Sequence, residues 1–288
     1  MVRHLVGTDT FGYNVVQHFA RLPEGMTFGH LSHVAVDSGG TVYVTQTGGV
    51  PILVFDQGGS YQGSIGDGVL SDPNGICIDA SGAIWVTERD RHQVLKLDRS
   101  GRVLLKLGSA DSASLQAPFN HPADVATGPN GDVYVADGYG NSSIHQFSQD
   151  GRFVQSWGRA GRGEGEFSIP YGLWVSSRGR VYVADRENNR VQIFAQGGGF
   201  LGQWEGIHRP MAVWADKQEN VYITDQVPRL SIFNPEGQLL SRGRVPDAGN
   251  DLCGDDAGNL YLTGAISAMT GDFIGVAKLE RVYPHECI

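Results

Sequence analysis

Hydrophobic and β-branched residues recur along the chain in short runs bounded by turn signals. The clearest stretch runs from Pro122 to Gly158, where DVAT, DVYVAD, SIHQF and FVQSW are separated by GPNG, GYGNS and SQDG. Short runs of this kind, punctuated by Gly, Pro, Asn and Asp, predict four antiparallel strands joined as a meander. One such sheet leaves two faces uncovered, so it needs copies of itself to pack against.

Comparable units begin at Leu31, Pro73, Pro170, Pro210 and Asn250. The residue opening the first hairpin turn falls at Asp37, Asp79, Gly128, Ser176, Asp216 and Asp255, in steps of 42, 49, 48, 40 and 39 residues. Four strands per period of this length predict blades rather than helical repeats. The expected fold is therefore all-β: a six-bladed β-propeller of four-stranded antiparallel blades, one domain over residues 1–288. The sixth unit lacks a fourth strand. The segment YNVVQHFARLP, residues 13–23, is expected to supply it by pairing with the last blade, which closes the ring and removes its open edge. Two inserts, 109–120 and 159–169, are polar and rich in Gly or Ser and read as surface loops before the third and fourth blades.

Composition narrows the function. A net charge of −9, with basic residues spread along the chain, argues against a nucleic-acid surface. No apolar run approaches membrane-spanning length and no secretory leader is visible, so a soluble, cytoplasmic protein is expected. Cys77, Cys253 and Cys287 make no disulfide framework. Cys77 and Cys253 share a place in their repeats and read as small buried hydrophobes, whereas Cys287 sits in the tail. Nucleophile-elbow, zinc-protease, phosphate-loop and dinucleotide motifs are all missing, and GDGVLSDPNGICID lacks the acidic spacing of an EF-hand loop, so no organic cofactor is expected.

Antiparallel geometry locates the chemistry. The first strand of each blade starts where its second ends, so His33, Asn74, Asp124, Tyr171, Met211, Asn250 and Asp251 share a rim with Gln46, Glu88, Arg89, Asp137, Tyr139, Asp185, Arg186, Asp225 and Gln226. Such convergence at a channel mouth marks a ligand site. Asp137, Asp185 and Asp225 recur in register and read as structural. Residues that differ between blades are more informative: Tyr139, Arg186, Glu88 with Arg89, His33 and Tyr171.

The stretch GRGEGEFSIPYGLWVSSRGRVYVADRENNRVQIF resembles a consensus NHL repeat, the unit of six-bladed NHL propellers. ADGYGNSSIHQFSQDGRFVQSWG and VADRENNRVQIF are similar to two blades of the peptidyl-α-hydroxyglycine α-amidating lyase family, which cleaves an α-hydroxyglycine N–C bond to a peptide amide and glyoxylate. That resemblance implies a catalytic tyrosine at Tyr139, a catalytic arginine at Arg186, and a calcium held by the carbonyls of Val34 and Ile76 with the carboxylate of Asp251. It also places the family's three zinc histidines at Asn74, Tyr171 and Asn250, which are poor zinc ligands, and its other active-site arginine near Gln46 or Thr47. The expectation is a lyase-like enzyme (or a hydrolase or isomerase) for a small carboxylated or amide-containing substrate, calcium-assisted and not zinc-dependent. His33, Asn74, Glu88, Arg89, Tyr171 and Asn250 are expected to contact that substrate. The alternative is a non-catalytic propeller binding a peptide or protein partner on its rim.

Overall fold

A computed structural model describes residues 5–8, 10–16, 18–115, 117–245, 249–264 and 275–282; Cys287 and part of the sixth unit lie outside them. Six antiparallel sheets surround one axis. Their innermost strands, His30–Val36, Pro73–Ile78, Asp124–Thr127, Pro170–Val175, Pro210–Ala215 and Asp251–Gly254, each neighbour the next, and the last neighbours the first. The opening unit is the third blade: Asp124–Thr127, Val133–Asp137, Ser143–Phe147 and Phe153–Trp157 pair in that order. Among the described residues no helix is long and apolar enough to cross a membrane.

The ring closes as expected, with one addition. Phe11–Val16 pairs antiparallel with Gly275–Val282 and is the fourth strand of the sixth blade, so it starts earlier and ends sooner than the 13–23 segment predicts. Beyond it, Leu5–Thr8 pairs with Phe11–Val16 as an unforeseen fifth strand, set beside the outer strand of the fifth blade. The inserts are also not purely surface. Each carries near its end a wholly buried phenylalanine, Phe119 or Phe167, three residues before a proline, which plugs the gap between adjacent blades.

Two hydrogen-bond devices repeat. At the hairpin between first and second strands, Asp37 Oδ1 accepts the N–H groups of Gly39 and Thr41, while Oδ2 accepts the Tyr43 hydroxyl. Asp79 with Trp85, Asp216 with Tyr222 and Asp255 with Tyr261 repeat the pattern. An Asp side chain that caps its own turn and anchors an aromatic explains why this position is Asp in four blades. At the other end, threonines of the second strands tie each blade to the next. Thr45 Oγ1 donates to Asn74 O at 2.6 Å, Thr87 to Ala123 O, Thr224 to Gly249 O and Thr263 to Ser32 O. Blades three and four have neither device: their hairpins open on Gly128 and Ser176, and Ala136 and Ala184 stand in place of the threonines.

Candidate functional site

In blades two to five the residue that ends the second strand proves to be a loop clamp. Asp137 accepts the Asn120 N–H at 3.0 Å, the Asn141 amide and His145 Nε2. Asp185 accepts Ser168 N–H, Asn188, Arg190 and Gln192, and Asp225 accepts Val227 N–H and Arg229. Glu88 does the same work in blade two: wholly buried, it accepts the Ser71 N–H at 2.6 Å and the Gln93 amide. Both Glu88 oxygens thus accept hydrogen bonds from within the protein.

Asn74 and Asn250 are also placed as braces. Asn74 Nδ2 donates to Ala123 O at 2.6 Å and Asn250 Nδ2 to Leu31 O at 3.1 Å, each reaching the following blade. Each thus spends an amide N–H on a neighbouring blade. Together with Tyr171 they offer no zinc set, and among the described residues no group of three His, Cys, Asp or Glu side chains converges to hold a metal.

The remaining candidates do meet. Tyr139, in the loop after Val133–Asp137, is 38% exposed, and its ring stands edge-on to Tyr171 at 5.7 Å. Tyr171 is buried and stacks on His33 at 5.8 Å. A guanidinium lies over each phenol: Arg89 at 5.6 Å from the Tyr139 ring, Arg186 at 5.6 Å from that of Tyr171. Burial, reinforced by Tyr139, pushes the Tyr171 phenol well above its usual range, so Tyr171 stays neutral.

The two arginines differ in their counter-ions. Arg89 Nε lies 3.0 Å from both Asp72 and Asp90, which fix and neutralise it. Arg186 opens a short 3₁₀ turn, Arg186–Asn188, and reaches only Glu187 at 3.5 Å, a carboxylate that also pairs with Arg209. Its Nε is buried with no hydrogen-bond partner. Two guanidiniums sharing one carboxylate leave positive charge unspent at the mouth, suited to a carboxylate.

Below this column the axis narrows to a cavity of about 50 Å³, bordered by Val34, Ile76, Asp124 and Asp251 among others. Val34 N–H donates to Asp251 Oδ2 at 2.9 Å. Because a strand residue sends its N–H and C=O to the same edge, the Val34 carbonyl and its register-equivalent at Ile76 share that inner edge with the Asp251 carboxylate. These oxygen groups suit a hard cation. Cys77 and Cys253 border the same cavity, and burial pushes the Cys77 thiol up to about 11, as inert small hydrophobes should show.

Asp124, counted among the rim residues, was not paired with Asp251, although the chain carried the signal. Aligning ADVAT with NDLCG puts Asp124 and Asp251 in the same register position.

A profile of the NHL repeat matches residues 70–97, 119–147 and 167–194, that is, most of blades two, three and four. Peptidylglycine alpha-amidating monooxygenase of Rattus norvegicus is 43% identical over 140 residues, covering 46% of this chain and 14% of that protein, so the chain matches about a seventh of that relative. NHL repeat-containing protein 3 of Homo sapiens is 30% identical over 248 residues, covering 81% of this chain and 67% of that protein. A gluconolactonase from Xanthomonas campestris shares the fold, with a TM-score of 0.72 at 16% identity, covering 94% of this chain and 90% of that one. The repeat profile, the six-bladed ring and the extent of the match to the human protein agree: the chain belongs to the NHL-repeat family.

Proposed function

We propose that the channel mouth is the active site of a lyase-like enzyme for a small carboxylated or amide-containing substrate. The observation that carries this reading is the undercompensated Arg186 guanidinium set over Tyr171, one ring away from the exposed Tyr139 phenol. Arg186 would hold the substrate carboxylate, and Tyr139 would take or return a proton at the adjacent carbon or hydroxyl. Arg89, held by Asp72 and Asp90, would pack over the Tyr139 ring and fix its orientation at the mouth. Tyr171, His33 and Met211 form the floor. A calcium ion on the axis, held by the carbonyls of Val34 and Ile76 and by Asp251, would add positive charge beneath that floor.

A panel of α-hydroxyglycine amides and carboxylated lactones tests this. Turnover of at least one member is expected, and Tyr139→Phe and Arg186→Ala should each lower kcat/KM by about 100-fold or more with the fold intact. Two fully active variants would overturn the assignment.

The second reading, a rim that binds a peptide or protein, is favoured by one observation: Asn74 and Asn250 act as blade-to-blade braces where the lyase resemblance places metal ligands.

A further inference from the structure

The axis is built in levels, one residue from each blade. One residue below the mouth the six positions are His33, Gly75, Asp124, Gly172, Ala212 and Asp251. Three are ionisable and three are small. At Gly75 a Cβ would stand 2.6 Å from Asp124 Oδ1, and at Gly172 it would stand 2.2 Å from Met211 O, so the small residues are what lets the neighbouring chains close in.

The ionisable three are nearly sealed from water: His33 is 1% exposed, Asp124 6% and Asp251 8%. Asp124 accepts the N–H of Val125 and of Leu173 at 2.8 Å, and Asp251 accepts that of Val34. Neither carboxylate has a strong cationic partner. His33 Nε2 lies 3.9 Å from Asp124 Oδ1, and both His33 ring nitrogens are buried without a hydrogen-bond partner. Burial pushes both carboxyls above their usual range, the charge of Asp251 adds to the effect on Asp124, and His33 opposes it. Two facing carboxylates in so dry a place are costly unless something positive lies between them. The cavity of about 50 Å³ that both border has room for one small occupant.

We infer that Asp124 is a second carboxylate ligand of an axial divalent cation, joining Asp251 and the carbonyls of Val34 and Ile76. This rests on the reading that the axis holds a cation. Two carboxylates make the loaded site neutral. Because no three ionisable side chains converge to hold an ion by themselves among the described residues, the shell is completed by carbonyls, which selects calcium or magnesium over zinc. The ligands come from blades six, one, two and three, so the ion stitches together four consecutive blades.

Calorimetric titration of the EDTA-stripped chain with calcium, paired with thermal melts in EDTA and in calcium, tests the assignment. The unmodified chain should bind one ion and melt higher in calcium. Asp124→Asn should bind about tenfold or more weakly, as loss of one anionic ligand implies, and its calcium-dependent rise in Tm should shrink. In EDTA its Tm should be no lower than that of the unmodified chain, since one of two like charges is gone. If Asp124→Asn binds as tightly as the unmodified chain, Asp124 is no ligand and the inference fails while the cation reading survives. If the unmodified chain binds neither calcium nor magnesium, the cation reading itself fails. A lower Tm in EDTA with an unchanged calcium-dependent rise would reduce Asp124 to an acceptor for Leu173 N–H, which also overturns the inference.

Discussion

Four joints of the ring carry a threonine that reaches across to the next blade; the two joints on either side of blade four do not. At those two the chains approach closely through glycine with no such brace. A Cβ at Gly138 would stand 1.8 Å from Pro170 O, and one at Gly172 2.2 Å from Met211 O. Blades three and four also lack the Asp-capped hairpin, so the buried Tyr182 hydroxyl of blade four has no hairpin Asp to bond to. These are the blades that bring Tyr139, Tyr171 and Arg186 to the mouth. The scaffold is fastened by side-chain devices repeated in register, and the chemistry gathers where the repeat departs from them.

The contrast can be broken at its tight joint first. Gly172→Ala sets a methyl against a backbone carbonyl that cannot swing aside, and should cost about 3 kcal/mol or more in denaturant unfolding. A loss smaller than that of a threonine brace would mean that the joint is not close-packed. Removing such a brace comes next. Thr45→Val leaves Asn74 O and the His33 N–H without their buried partner and should cost about 1–3 kcal/mol; an unchanged midpoint would show that the brace contributes nothing.

The smallest effect is electrostatic and separates the Asp hairpins from the others. Burial alone would raise the Asp79 carboxyl, but Lys96, Ser81, the Ala83 N–H and Trp85 outweigh it and hold the group at about 2. A carboxyl depressed on folding stabilises the protein above its unfolded value near 4, and that stabilisation is lost as pH falls from about 4 to about 2. Asp79→Asn should therefore lose about 1–2 kcal/mol at neutral pH and flatten the stability profile between those values. An acid limb of unchanged slope would place the titration elsewhere.

The fold was legible because its signals are local. Turn residues and hairpin aspartates write the blade period directly into the chain; what escaped was the short parallel pair Arg159–Ala160 with Glu166–Phe167 and the outermost strand, Leu5–Thr8. Its pairing depends on a neighbour, and LVGT followed by FGYNVV has glycines where strand signals are sought. Tyr139 and Arg186 stood out because they break the repeat. Glu88 serves its own blade's entry loop, and Asn74 and Asn250 brace the scaffold, because a polar residue at the head of an inner strand has both a mouth and a neighbouring blade within reach. Register alone does not say which it chooses. Asp124 was named on the rim but not paired with Asp251, because the repeat made it look ordinary and only the meeting of two distant blades on the axis brings the two together.

The seam of the ring has a consequence for how the chain comes to be folded. Val15 pairs with Leu279 and Gly12 with Val282, so the sixth sheet is assembled from segments made at opposite times during synthesis. Five blades can form as they emerge from the ribosome, while the strand Phe11–Val16 waits, its partner edge not yet translated. Contacts of such long range are slow to form and cooperative once made. Fastening this late clasp is the step that turns a row of sheets into a ring, and until it closes no axis exists on which Asp124 and Asp251 can meet.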